Sequence, residues 1–135
     1  MPSMSVGGSS VGSDPTIYIV DDDEAVRDSL ALMLESHGIA AKTYESGAAF
    51  IGDYRPGAPG CLVLDLHMPE MGGFELMERL TRRGLRVPVV IISGCADTAE
   101  KARATAAGVK AILDKPFSRE ELLAAIYVAI GTHRS

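Results

Sequence analysis

The chain has 135 residues, the size of one domain, of which 47% are hydrophobic and 23% charged, which excludes a disordered polymer. Acids outnumber bases 18 to 13, so the net charge of −5 argues against direct nucleic-acid contact. Two cysteines, Cys61 and Cys95, make no disulfide framework and match no zinc spacing, and no apolar stretch approaches the ~20 residues needed to span a bilayer.

Residues 1–14 are mostly Ser, Gly and Met, a composition that buries too little to order itself, and are expected to form a flexible tail. The N-terminus has neither a basic region nor an apolar block, so no secretory signal is expected and a reducing, cytoplasmic setting fits the cysteine usage. From residue 15 to 131 the pattern is that of one folded domain, with residues 132–135 as a short tail.

The first apolar run is Ile17–Val20, followed by Asp21, Asp22, Asp23 and Glu24. Asp23 is expected to cap a helix whose apolar face carries Val26, Leu30, Met33, Leu34 and His37 and which stops at Gly38. A second run, Ala40–Tyr44, precedes a short helix after Ser46 with Phe50, Ile51 and Tyr54, broken by Pro56 and Pro59. Cys61–Leu64 is the third run and ends at Asp65; the helix after it carries Phe74, Met77 and Leu80 and ends near Gly84. Val87–Ile92 leads into Ser93 and Gly94. Asp97–Ala107 is alanine-rich without a large apolar residue, so it favours helix yet can bury little and should be loosely held. Ala111–Leu113 delivers Asp114, Lys115 and Pro116, and Ser118 with Glu121 forms a capping box ahead of Leu122, Leu123, Ile126, Tyr127 and Ile130.

Five strand–helix alternations imply a parallel sheet wound on both faces. Ligands of such sheets sit beyond the carboxyl ends of the strands, which here deliver Asp21, Asp22, Asp65, Ser93 and Lys115 to one rim. Each alone reads as a cap, a loop carboxylate, a turn hydroxyl or a surface amine. Crowded together, three carboxylates require compensation by a cation and the lysine, and an oxygen-only set suits Mg²⁺ with retained waters.

Four segments at those strand ends, Ile19-Val20-Asp21-Asp22-Asp23, Asp65-Leu66-His67-Met68-Pro69-Glu70-Met71-Gly72-Gly73, Ile91-Ile92-Ser93-Gly94 and Asp114-Lys115-Pro116-Phe117, resemble the two-component response regulator receiver domain, the CheY-like fold, across residues 16–130. The resemblance implies a flavodoxin-like five-stranded parallel sheet of order 2-1-3-4-5 with helices on both faces. It implies Asp65 as phosphoryl acceptor, Mg²⁺ (or Mn²⁺) held by Asp22, Asp65 and the backbone carbonyl of His67, with Asp21 acting through a water, and Lys115 and Ser93 on the phosphoryl group. Pro116 resembles the family's cis-proline, which turns Lys115 back into the site. The implied partner is a histidine kinase or histidine phosphotransfer protein, with no membrane and no direct nucleic-acid contact; phosphorylation is expected to switch an output face made of the fourth helix, fifth strand and fifth helix, with a phosphorylation-linked homodimer through the fourth-helix to fifth-strand part of it.

Relatives usually carry an aromatic three residues before the lysine; here that residue is Ile112, which has no ring to rotate, so the fourth helix is expected to carry more of the output. His67 and Cys95 occupy positions that in relatives modulate how long the acyl phosphate lasts; from the residues alone His67 reads as a solvated side chain and Cys95 as a small packing thiol. In this reading the chain is no enzyme on a separate substrate, though it assists its own phosphorylation and dephosphorylation. A phosphatase of the haloacid-dehalogenase type needs a second aspartate where His67 stands and a cap domain the chain has no residues to build. A flavin site lacks its phosphate-cradling loop after the first strand. An atypical receiver that docks partners without phosphorylation is opposed by the complete set of Asp22, Asp65, Ser93 and Lys115 but stays open through Ile112.

Overall fold

The computed structural model describes residues 14–131 apart from residue 58; the expected tails at residues 1–13 and 132–135 lie outside the described residues. The elements alternate strictly: β1 (Thr16–Val20), α1 (Glu24–Ser36), β2 (Ala40–Tyr44), α2 (Gly47–Asp53), β3 (Gly60–Asp65), α3 (Gly73–Arg82), β4 (Val89–Ser93), α4 (Thr98–Ala106), β5 (Ala111–Asp114) and α5 (Arg119–Ile130). All strand pairs are parallel and the sheet order is β2-β1-β3-β4-β5.

Residue alternation along the three central strands divides the interior into two cores. Ile17, Ile19, Cys61, Val63, Val90 and Ile92 face Leu30 and Leu34 of α1 and Leu122 and Ile126 of α5. Tyr18, Val20, Leu62, Leu64 and Ile91 face Phe50 of α2, Leu76 and Leu80 of α3 and Ala104 of α4. This two-sided burial is why β1, β3 and β4 read as continuous apolar runs, while the edge strands β2 and β5 are half exposed. The fourth apolar run begins at Val87, but the strand begins at Val89: Pro88 has no N–H to give, and its carbonyl instead accepts from Leu62 N at 2.8 Å as a lead-in.

The caps follow the sequence. Asp23 accepts from Ala25 N at 2.9 Å and Val26 N at 3.4 Å to start α1. Ser118 and Glu121 form the expected box on α5, which ends at Gly131 in the left-handed region with φ 75°. A second box, Asp97 with Glu100, starts α4 and is not among the caps expected from the sequence. At the start of β3, Gly60 adopts φ +154° with its position for a Cβ only 2.1 Å from the Thr16 carbonyl oxygen, so only glycine lets β3 close on β1 there.

The second core is organised around Phe50, which is fully buried and packs against Tyr18, Tyr44 and Tyr54 with ring centroids 5.5, 5.5 and 5.2 Å away. Phe50→Ala is expected to cost about 3–5 kcal/mol, read as a fall in the urea midpoint with an unchanged denaturant slope.

Candidate functional site

Neighbouring parallel strands in register place their following residues side by side. Val20 of β1 pairs with Leu64 of β3, so Asp21 and Asp65 emerge together where the strand order reverses. Asp21 is 0% and Asp65 7% exposed, whereas Asp22 next along the chain is exposed. Carboxylate oxygens of Asp21, Asp22 and Asp65 all lie within 4.8 Å of one another.

Lys115 supplies the opposing charge from the loop after β5. Its Nζ lies 3.3 Å from Asp21 Oδ2 and 3.5 Å from Asp65 Oδ2, so it bridges both buried carboxylates. The Lys115–Pro116 peptide is cis, as the resemblance implies. Asp21 is fixed further by Asp23 N, which donates to Oδ1 at 2.9 Å, while Arg27 donates to the Asp21 carbonyl at 2.7 Å. The backbone N–H of His67 donates to Asp65 Oδ1 at 3.2 Å. Gly73, where α3 begins, returns its N–H to the Leu66 carbonyl at 2.9 Å; a Cβ there would approach Leu66 Cα to 3.1 Å.

Burial is the largest influence on Asp65 and raises its pKa, with repulsion from Asp21 in the same direction; the His67 N–H and Lys115 oppose them without cancelling them. For Lys115 burial acts downward, but the charges of Asp65 and Asp21 and hydrogen bonds to both prevail, and its pKa is raised. Three carboxylates against one ammonium leave an excess of negative charge among oxygen donors only. That donor set fits a hard divalent cation such as Mg²⁺ and offers nothing to a soft metal.

The fourth strand end contributes Ser93, fully buried, whose Oγ accepts from Cys95 N at 3.2 Å and lies 3.4 Å from His67 Nδ1. His67 is exposed, as read from the sequence, but it has a partner: its Nε2 sits 2.8 Å from Glu100 Oε2, a hydrogen bond across 33 residues of chain. That hydrogen bond is the leading cause of a lowered Glu100 pKa. Cys95 is exposed rather than packed, with Sγ 3.9 Å from His67 Nδ1; Cys61 is buried in β3 as expected, and burial pushes its thiol up to about 12. Ile112 lies half-buried on β5 against the second core, with β4 between it and the acidic rim. Glu100 is the site residue that the sequence pattern does not single out; the Asp97-x-x-Glu100 spacing is the available signal.

The family model described as "Response regulator receiver domain" matches residues 17–127. The chain is 40% identical over 117 residues to the response regulator protein TmoT of Ectopseudomonas mendocina, covering 87% of this chain and 53% of that protein. It is 37% identical to the transcriptional regulatory protein FixJ of Azorhizobium caulinodans, over 85% of this chain and 54% of that protein. The chain thus spans about half the length of these curated relatives. Among solved structures, FixJ-N superposes with a TM-score of 0.78 at 38% identity, covering 88% of this chain and 95% of that one.

Because the pKa of Asp65 is raised above its unfolded value, its contribution to stability is most favourable below the ordinary carboxylate range and falls as pH rises through the raised value. An uncharged isostere keeps that benefit at neutral pH. Asp65→Asn is therefore expected to raise the thermal midpoint at pH 7 in EDTA and to shrink the further rise that Mg²⁺ brings to the wild type, both read by calorimetry.

Proposed function

Because the chain belongs to the response regulator receiver domain family, we propose that it accepts a phosphoryl group on Asp65 from a histidine kinase or a histidine phosphotransfer protein. Response regulators interact with histidine kinases in two-component signalling. The observation that carries the assignment to Asp65 is the bridge from Lys115 Nζ to Asp21 and Asp65 at the rim where three carboxylates converge.

In the proposed transfer an Asp65 carboxylate oxygen attacks the phosphorus of a phosphoimidazole. A P–O bond forms, the P–N bond breaks, and its electron pair stays with the departing imidazole. Nucleophile and donor are both negative, so transfer depends on positioning and on neutralising the phosphoryl oxygens. Lys115 orients Asp65 beforehand and meets the phosphoryl group afterwards; Ser93 donates its hydroxyl to a phosphoryl oxygen. Bound Mg²⁺ (or Mn²⁺) would supply further neutralisation, held by Asp22, Asp65 and the His67 backbone carbonyl, with Asp21 acting through a water. The same groups assist hydrolysis of the acyl phosphate, in which His67 and Cys95 flank the path of water; no separate substrate is turned over.

Output then passes to the face of α4, β5 and α5, where Tyr127 and Val128 are 39% and 52% exposed, and this face is our proposed site of a phosphorylation-linked homodimer. A second reading, docking without phosphorylation, is favoured by Ile112, which has no ring to swing inward. No helix of the described residues is long and apolar enough to cross a membrane.

Intact mass separates the two readings. Incubation with acetyl phosphate and Mg²⁺ is expected to add one phosphoryl group to the wild type and none to Asp65→Asn or to wild type in EDTA. An unmodified wild type with Mg²⁺ bound would establish the docking reading instead.

A further inference from the structure

His67 stands two residues beyond Asp65, and its ring spans the gap between the acceptor rim and α4. Its Nε2 lies 2.8 Å from Glu100 Oε2 and its Nδ1 lies 3.4 Å from Ser93 Oγ, at the long end of hydrogen bonding. Glu100 is the third residue of α4. Its other oxygen, Oε1, accepts from Asp97 N at 3.1 Å, while Asp97 Oδ1 accepts from Glu100 N at 2.8 Å. One carboxylate therefore closes the N-terminal cap of α4 and grips the ring of His67.

The direction of these bonds is set by chemistry. An ionised carboxylate only accepts, so Nε2 carries its hydrogen, and the tautomer with its hydrogen on Nε2 presents the Nδ1 lone pair to the Ser93 hydroxyl. Ser93 Oγ accepts from Cys95 N, and in that tautomer its one hydrogen goes to Nδ1, 3.4 Å away. That hydrogen cannot serve two acceptors at full strength. If a phosphoryl oxygen on Asp65 takes it, His67 Nδ1 is left with only the weakly donating thiol of Cys95, 3.9 Å away.

We propose that Ser93, His67 and Glu100 form a hydrogen-bonded relay that ties the acceptor rim to the cap of α4, and that phosphorylation opens the relay by recruiting the Ser93 hydroxyl. The relay rests on the phosphoacceptor reading of Asp65 and supplies what Ile112 lacks, a movable side chain between site and output face. It has leverage because Ala104 is the one buried residue of α4. The remaining ties of that helix are surface contacts: Lys101 Nζ 3.2 Å from Asp114 Oδ2, and the Arg103 guanidinium 4.0 Å from the centre of the Phe74 ring. His67 and Glu100 are positioning residues in this scheme; they act on the helix through its cap.

The test is amide hydrogen exchange across residues 97–103 of the full chain, with and without beryllofluoride and Mg²⁺. Wild type is expected to lose protection there by roughly tenfold on charging, within the usual range of site-to-site coupling. Two substitutions abolish that change from opposite sides. In His67→Ala the relay is already open, so protection is low in both states. In Glu100→Gln the amide oxygen still closes the cap, but the amide NH₂ donates to Nε2 and turns Nδ1 into a donor. The Ser93 hydrogen is then no longer held by the ring, the relay stays shut on charging, and protection stays high in both states. A wild-type response surviving in either variant overturns the relay, and Glu100→Gln, outside the acceptor rim, is decisive alone if His67→Ala does not fold. Intact mass after acetyl phosphate distinguishes the failures: no adduct on wild type overturns the acceptor reading and the relay together, whereas an adduct with an unaltered α4 response in the variants overturns the relay alone.

Discussion

Two carboxylates buried side by side, with one lysine between them, are the constraint around which this molecule is arranged. Asp21 and Asp65 leave adjacent strands in register, at the dry end of a sheet covered on both faces. Each alone would be costly to bury, and together they repel. The fold answers with charge and with dipoles. Lys115 returns from the end of β5 to within 3.3 and 3.5 Å of the two, Asp23 N and His67 N donate into them, and Arg27 donates to the Asp21 carbonyl. Every one of these groups comes from a segment that follows a strand. The site thus depends on the parallel sheet order, since any other order would send Lys115 or the His67 loop elsewhere. The compensation is incomplete, and the residual negative charge is what makes the rim fit for a hard cation.

Most of this architecture is legible in the sequence because it rests on patterns local to a segment. Continuous apolar runs mark β1, β3 and β4, and the polar residue after each marks the rim; Asp23 and Ser118 with Glu121 mark helix starts. The edge strand β2 carries Lys42 and Thr43 and is recognisable from its position between helices more than from its burial. The start of β4 is misleading because Val87 is apolar, yet Pro88 cannot join a ladder. What the chain conceals is cross-segment chemistry. His67 in the loop after β3 and Glu100 in the first turn of α4 sit 33 residues apart, outside any hydrophobic period, and their meeting depends on how α4 is docked. Periodicity reports which face is buried and is silent about which exposed groups touch.

The docking of α4 is also where burial and polar contact exchange roles. Helices α1, α3 and α5 each bury two or more large apolar side chains and are held by the cores. Helix α4 buries Ala104, and its other anchors are a capping box, a lysine–aspartate pair, an arginine over a ring and the His67–Glu100 pair. An exposed ion pair such as Lys101–Asp114 contributes on the order of 1 kcal/mol or less. A helix secured in small polar increments can be displaced by redirecting a single hydrogen bond, whereas one secured by a leucine stripe cannot. If Asp65 takes up a phosphoryl group as proposed, then with an isoleucine at position 112 the polar ties at the head of α4 are the part of this fold whose energies match those it can exert through one hydroxyl.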